Sequence, residues 1–299
     1  MFSLDDFTPI TLESKHLFDT QYKTFPPIHS DYVFTTMISW NQYAKYEYIL
    51  IEDSIIIKTT VHEKIYLRPP IGKPNKKIFE NLLSIAKTEE LDFQLFMVTE
   101  PWKTWIEKQY PSASFVAKSE YDDYVYLSSD LAELDGSAYR KIRNRLNKFN
   151  RQNSYETEII TEENIPEVKR FLQRWCIWRD CEEDPLLQYE KKAVMYCMDH
   201  FNELSLSGMA IRVNDHIEAV AIYEQMNPDT IVVHFEKGSP YYDGIYKIIN
   251  KETAQQVRQD ARFINRESDM GNPGLRKAKQ SYQPHHMIPV FSLQLKNSV

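Results

Sequence analysis

Between Leu206 and Glu236 the chain holds three strand-like runs: Leu206 to Val213, Ile217 to Gln225 and Thr230 to Glu236. Only the turn signals Asn214-Asp215 and Asn227-Pro228 break them. Breaks that short can join only antiparallel neighbours, so a β-meander is expected. Beyond a loop bounded by Gly238 and Gly244, Ile245, Ile248 and Ile249 recur at helical spacing in a run extending to Gln259. That stripe should dock a helix on the meander.

The elements around this centre follow from the same periodicities. Upstream are a strand at Tyr155 to Ile160, a helix at Pro166 to Trp178 with Phe171, Leu172 and Trp175 on its stripe, and a helix from Pro185 to Leu204. Downstream are a strand at Arg262 to Asn265, a helix at Gly274 to Ser281 and a strand at Ile288 to Leu295. The first half reads as helices at His16 to Thr24 and Asp31 to Tyr43, then strands at Tyr46 to Lys58 and Lys64 to Arg68. A helix at Asn75 to Glu89, a strand at Phe93 to Val98, a helix at Pro101 to Lys108 and a strand-forming stretch at Ala113 to Leu127 follow. This order resembles the Gcn5-related acyltransferase fold and occurs twice. The expected class is therefore α/β (α+β), with two tandem acetyltransferase-like domains, each a mixed central sheet flanked by helices. A length of 299 residues suits two domains. The expected cut gives residues 1–134 and residues 135–299, the second with a connector helix over Leu131 to Arg151 and the candidate active site.

Hydrophobic residues at 42% give ample apolar area for such cores. The longest apolar runs fall far below the ~18 residues that cross a bilayer, and Met1 to Ile10 carries Asp5 and Asp6 where a leader would be basic and then apolar. The expected location is the cytoplasm. There Cys176, Cys181 and Cys197 should be reduced thiols at packing positions. His285-His286 places adjacent rings on opposite faces of an extended chain, so no metal is expected. No nucleophile elbow, P-loop or dinucleotide fingerprint occurs. A net charge of −7 opposes general binding to nucleic acid or anionic membrane. Ser137 to Tyr155 runs against that balance, with Arg140, Lys141, Arg143, Arg145, Lys148 and Arg151 and no acid. Such a run is either a solvated helix face or a phosphate-binding surface.

The densest polar segment leaves a strand at Asn265 and enters a helix near Gly274. Ligands of open α/β sheets bind beyond the carboxyl ends of strands, which is where Asn265, Arg266, Glu267 and Asp269 fall. Gly271 and Gly274 permit a tight turn that lets Arg276 and Lys279 point back to the same opening, with Ser281 and Tyr282 closing the segment. A salt-bridge network stitching the loop to the sheet is the plain alternative. The second candidate is Val233 to Gly244, a strand end and loop ahead of a helix, where Lys237, Gly238 and Gly244 could cradle an anionic group on backbone N–H groups. The dense arginine-and-glycine pattern of a coenzyme A site is absent there. His234, alone in an apolar strand, reads more readily as a hydrogen-bonded core residue than as a base. Glu236, at the strand's end, suits binding an ammonium or taking a proton.

Four stretches carry a family resemblance: Tyr121 to Tyr126, Arg140 to Phe149, His234 to Lys237, and above all Asn265-Arg266-Glu267 through Tyr282-Gln283-Pro284. They are similar to soluble relatives of the phosphatidylglycerol lysyltransferase C-terminal domain family. The resemblance implies tandem acyltransferase-like domains related to the Fem-type enzymes, which add amino acids to peptidoglycan bridges. In membrane-bound members, lysyl-tRNA donates an aminoacyl group to a lipid hydroxyl. By that resemblance Glu236 and Asp269 would hold the donor's ammonium, and Arg276 and Lys279 its phosphate or the tetrahedral oxyanion. Arg140, Arg143 and Lys148 would meet RNA or lipid phosphates. The chain departs from those members in having no membrane-spanning stretch.

The expected function is transfer of an activated carboxyl group, from aminoacyl-tRNA or acyl-CoA, to an amine or hydroxyl acceptor. Glu236, Asp269 and Lys279 are the candidate catalytic residues, and no cofactor is firmly implied. A small-molecule or lipid-like acceptor and tRNA are the candidate partners, and peripheral membrane contact is compatible with the resemblance. The alternative is a non-catalytic protein that keeps the fold and binds a phosphorylated small molecule or an RNA end.

Overall fold

The described chain, residues 2–295 of a computed structural model, packs as two units. Residues 2–123, 268–271 and 288–295 form the first, and 124–267 with 272–287 the second. The first unit opens with β1 (Thr8–Pro9), α1 (Lys15–Tyr22), α2 (Phe34–Ser39), α3 (Asn41–Ala44), β2 (Tyr46–Ile51), β3 (Ser54–Val61) and β4 (Lys64–Leu67). It continues through α4 (Lys76–Thr88), β5 (Leu95–Thr99), α5 (Glu100–Gln109) and β6 (Ala113–Ala117). Then come β7 (Asp123–Leu127), α6 (Ser128–Glu133), α7 (Arg140–Gln152), β8 (Glu156–Ile159), α8 (Ile165–Trp178), α9 (Pro185–Asp199), β9 (Ser207–Val213), β10 (His216–Asn227) and β11 (Thr230–Gly238). The last elements are α10 (Ile245–Val257), β12 (Phe263–Asn265), α11 (Pro273–Gln280), β13 (His286–Ile288) and β14 (Val290–Leu295).

In the first unit β1-β2-β3-β4 form one sheet and β5-β14-β6 another. Its core gathers Ile56, Leu67, Phe79, Leu82, Leu95, Val98, Ile106 and Leu293. The α4 stripe enters this core because the Asn75 side chain accepts from the N–H groups of Lys77 and Ile78, which starts the helix in that phase. The second unit is built on a seven-stranded sheet ordered β13-β7-β12-β11-β10-β9-β8. The expected meander is there as β9-β10-β11, and α10 buries Ile245, Ile248, Ile249 and Val257 on it.

Five expected elements divide. Asp31 to Tyr43 is split into α2 and α3, and Tyr46 to Lys58 turns at Glu52-Asp53 into β2 and β3. Ala113 to Leu127 is broken by a 3-10 turn at Ser119–Tyr121. Its first part, β6, pairs with β14 in the first unit, whereas β7 pairs with β12 in the second. Ile288 to Leu295 is interrupted at Pro289, which has no N–H to continue a ladder. The connector helix breaks at Leu134, whose left-handed backbone (φ 55°) ends α6, and α7 starts anew at Arg140. A cut after Leu134 would leave β7 and α6 with the N-terminal half, but both carry out their pairing and packing in the second unit, while β14 lies in the first. One expectation is corrected: Cys176 and Cys181 are joined as a disulfide, not free thiols. The end of α8 and the 3-10 turn after it bring their Cα atoms to 5.2 Å, and Cys197 is buried outside the disulfide.

Candidate active site

The site geometry starts from an irregularity in β11. Val233 pairs with Tyr223 and Phe235 with Ile222, so a bulge leaves His234 without a cross-strand partner on β10. Past the bulge, Glu236 stands opposite Ala221, which shares the α10 side of the sheet with Val233 and Tyr223. Strict alternation from Val233 would have sent Glu236 to the other face.

On the α10 side Glu236 meets Arg266, which follows β12. The Arg266 Nη2 donates to Glu236 Oε1 at 2.8 Å, and the Asn250 amide of α10 reaches Oε2 at 3.3 Å. Both ionic side chains are nearly buried, at 12% and 13% exposure. The guanidinium carbon lies 5.0 Å from the Tyr282 ring centre and 5.8 Å from that of Tyr126. Burial holds both phenols protonated, well above the ordinary tyrosine range. Lys247, in the first turn of α10, sets its ammonium 4.4 Å over the Tyr282 ring. Burial, with Arg266 beside it, pushes that ammonium down to about 8. Three buried atoms of this cluster have no hydrogen-bond partner: Arg266 Nη1, the Tyr282 hydroxyl and Asn250 Oδ1. Leaving a buried polar atom unpaired costs about 1–3 kcal/mol, and clusters that carry such a cost call for a functional reason.

A second polar cluster surrounds His234. Its Nε2 lies 2.8 Å from Glu224 and its Nδ1 2.9 Å from Glu267. Burial alone would lower its pKa, but the hydrogen bonds to Glu224 and Glu267 outweigh burial and raise it to about 9. His234 is a charged, fully partnered link, consistent with the core role expected of it.

The other expected site residues fall in several places. Lys279 is buried; its ammonium donates to the carbonyl of Arg266 and, at 3.0 Å, to that of Glu267. Asn265, also buried, accepts from the Glu267 N–H at 2.7 Å, which fixes the turn leaving β12. Asp269 belongs to the segment 268–271 of the first unit, where its carboxylate accepts from the Gly271 N–H at 2.9 Å. Ser281 bonds back to the Ala278 carbonyl, and Arg276 is half-buried on α11. Lys237 faces away from Glu236: it pairs with Glu190 at 2.7 Å and sits 4.1 Å over the Trp175 ring.

Gly238 gives the close approach of α10, since a Cβ there would stand 2.8 Å from Ile245. Gly244 has φ +102°, and a Cβ there would meet the Arg145 carbonyl of α7 at 3.3 Å. The first turn of α10 spends several donors on the loop before it. Ile245 N–H bonds to Tyr242 O, and the N–H groups of Lys247 and Ile248 both reach Gly244 O. On α7, Ile142, Leu146 and Phe149 are buried, while Arg140, Arg145 and Lys148 are exposed; Lys148 pairs with Asp243 at 2.9 Å. Arg143 instead caps the broken connector by donating to the carbonyls of Leu134 and Gly136. Among the described residues no cluster of His, Cys, Asp and Glu is arranged to hold a metal ion, and no helix is long and apolar enough to cross a membrane.

Tyr126, Asn250 and Lys247 were not apparent as site residues from the sequence. A signal for Lys247 was present: a cation in the first turn opposes the helix dipole, so its place there is not explained by helix stability.

The profile of the family described as "Phosphatidylglycerol lysyltransferase, C-terminal" matches residues 22–294. A conserved protein of unknown function from Bacteroides thetaiotaomicron is 31% identical, with a TM-score of 0.87, covering 97% of this chain and 99% of that one. The structure of L-PGS from Bacillus licheniformis is 12% identical with a TM-score of 0.62, covering 95% and 92%. A tandem GNAT protein from the clavulanic acid biosynthesis pathway is 8% identical with a TM-score of 0.50, covering 96% and 97%. The last two likenesses establish a mixed α/β, GNAT-like fold, and the family match spans most of the residues that build both units. The chain belongs to the phosphatidylglycerol lysyltransferase C-terminal family.

Proposed function

We propose that the chain is an acyl or aminoacyl transferase that moves an activated carboxyl group to an amine or hydroxyl acceptor. The observation that carries this reading is the pair of unpartnered buried donors, Arg266 Nη1 and the Tyr282 hydroxyl, beside the ion pair of Arg266 Nη2 with Glu236. Acyl transfer develops negative charge on a carbonyl oxygen, and preorganised donors in a water-poor site stabilise that charge. Glu236 orients the guanidinium through Nη2 and leaves Nη1 for the reacting group. In this reading Arg266 and Tyr282 take the oxyanion role, because the Lys279 ammonium is engaged by the Arg266 and Glu267 carbonyls.

The occupied N–H groups of Ile245, Lys247 and Ile248 in the first turn of α10 favour an aminoacyl ester over a coenzyme A thioester as donor, since a pyrophosphate would need those groups. Exposed Arg140, Arg145 and Lys148 on α7 then serve the phosphates of the donor or of a lipid-like acceptor. Arg276 keeps the donor contact that the family resemblance implies, as part of the proposal.

The test offers lysyl-tRNA, alanyl-tRNA and acetyl-CoA as donors, with phosphatidylglycerol vesicles or glycinamide as acceptors, and detects products by mass spectrometry. Donor consumption by the wild type is expected, and Tyr282→Phe should cut the rate roughly 10²-fold, as loss of one oxyanion donor does. Tyr282→Phe keeps the ring and deletes only an unpartnered hydroxyl, so the melting temperature should not fall. Binding of a donor without its consumption would replace the transferase reading with that of a binding protein.

A further inference from the structure

Lys247 has no structural task that its position explains. Its charge opposes the N-terminal dipole of α10, and hydrogen bonds are not what hold its ammonium over the Tyr282 ring at 4.4 Å. It is half-buried, and it shares the Tyr282 ring with Arg266, whose guanidinium carbon is 5.0 Å from it. On this geometry we propose that Lys247 is the general base of the transfer, taking the proton from the attacking amine or hydroxyl and returning it to the leaving group. The proposal rests on the transferase reading above.

The charged groups that act on Lys247 come from three elements: the segment after β12, α7 and β11. Arg266 after β12 and Arg145 of α7 disfavour its protonated form, and Glu236 of β11 favours it. On α7 and the loop before α10, Lys148 and Asp243 neutralise each other. At the opposite end of α10, Glu133 of α6 pairs with Arg258. Burial and the two arginines prevail over Glu236, which brings the ammonium down to about 8 and leaves a useful neutral fraction near neutrality.

In the step, the Nζ lone pair takes the proton of the acceptor N–H or O–H as that nitrogen or oxygen bonds to the donor's carbonyl carbon. The carbonyl oxygen becomes an oxyanion held by Arg266 and Tyr282. Collapse breaks the bond from that carbon to the ester oxygen or thioester sulfur of the donor. The leaving atom takes the proton from the Lys247 ammonium. Atoms and charge balance without any further reactant. Glu236, with both oxygens engaged by Arg266 and Asn250, is the positioning residue for Arg266 in this scheme.

The experiment has two independent readouts. Competitive labelling with acetic anhydride across pH, followed by mass spectrometry of the Lys247 peptide, should show a midpoint near 8 in the folded protein, against 10.5 for an ordinary lysine. A midpoint near the ordinary value overturns the proposal. For the donor and acceptor pair that the wild type turns over, kcat/KM should rise with pH through the same midpoint. Lys247→Met and Lys247→Arg should lose that limb and roughly 10²- to 10⁴-fold in rate, with urea midpoints showing that both fold. Arginine tests charge against proton transfer, since it stays protonated. Variants within about threefold of wild type that keep the limb sink the Lys247 role alone. A wild type that consumes no donor sinks the transferase reading and the role with it.

Discussion

The Glu236–Arg266 pair gives a sharp energetic test of how the site is held. Two opposite charges at the observed 2.8 Å attract by roughly 6 kcal/mol at an effective dielectric of about 20. Much of that is offset by the cost of removing both groups from water. Deleting one partner keeps the desolvation cost and loses the attraction, so Glu236→Leu and Arg266→Met should each destabilise the second unit by about 3–5 kcal/mol. The double variant leaves no lone charge, and most of that loss should return. The coupling energy should therefore reach several kcal/mol, well outside the ~0.5 kcal/mol within which independent sites add. Urea unfolding followed by tryptophan emission provides the assay, because Trp175 and Trp178 report on this unit and near-ultraviolet circular dichroism checks the folded baseline. Single variants that each cost under about 1 kcal/mol, and that add in the double, would refute the claim that the pair is buried and mutually dependent. The cycle is informative even if no donor is found, because it measures the scaffold of the site and not turnover.

The His234 link carries a pH dependence. Its folded pKa of about 9 exceeds the ordinary 6.5, so its contribution is fully present below pH 6.5 and is lost as pH rises through 9. The shift corresponds to about 3 kcal/mol; a urea midpoint that falls across that window in the wild type but not in His234→Gln is the expected result. Lys279→Met should destabilise by about 1.5–3 kcal/mol through loss of two charge-assisted bonds to the Arg266 and Glu267 carbonyls, as read by thermal unfolding. An unchanged melting temperature would return Lys279 to a purely catalytic role. Thiol titration of the denatured, unreduced protein should find one reactive thiol, Cys197, and three after reduction.

Much of the fold was legible from local patterns. The meander, the α10 stripe and the α4 stripe follow from periodicity and turn chemistry, which act over a few residues and do not depend on distant partners. The resemblance located Glu236, Arg266, Lys279 and Tyr282 in polar segments, and these residues do occupy one region of the second unit. What each does within it was not legible. Lys279 and Arg276 look equivalent as cations one helical turn apart, yet Lys279 is buried against two carbonyls and Arg276 is half-exposed.

Sequence alone determined the α/β class, the order of most elements and the polar segments at strand ends, because those are consequences of side-chain spacing. Tertiary structure decided three things that spacing cannot express. It assigned β7 and β14 to different units although each continues an apparently single strand-forming run, since strand partners are chosen by long-range pairing. It placed a bulge at His234, and one extra residue in the ladder turned Glu236 toward α10 and Arg266. It also buried Lys247 beside positive charge from α7 and from the segment after β12, so that an ordinary surface residue type acquires a pKa of about 8. A proton affinity of that kind belongs to an environment, and the environment exists only once the chain is folded.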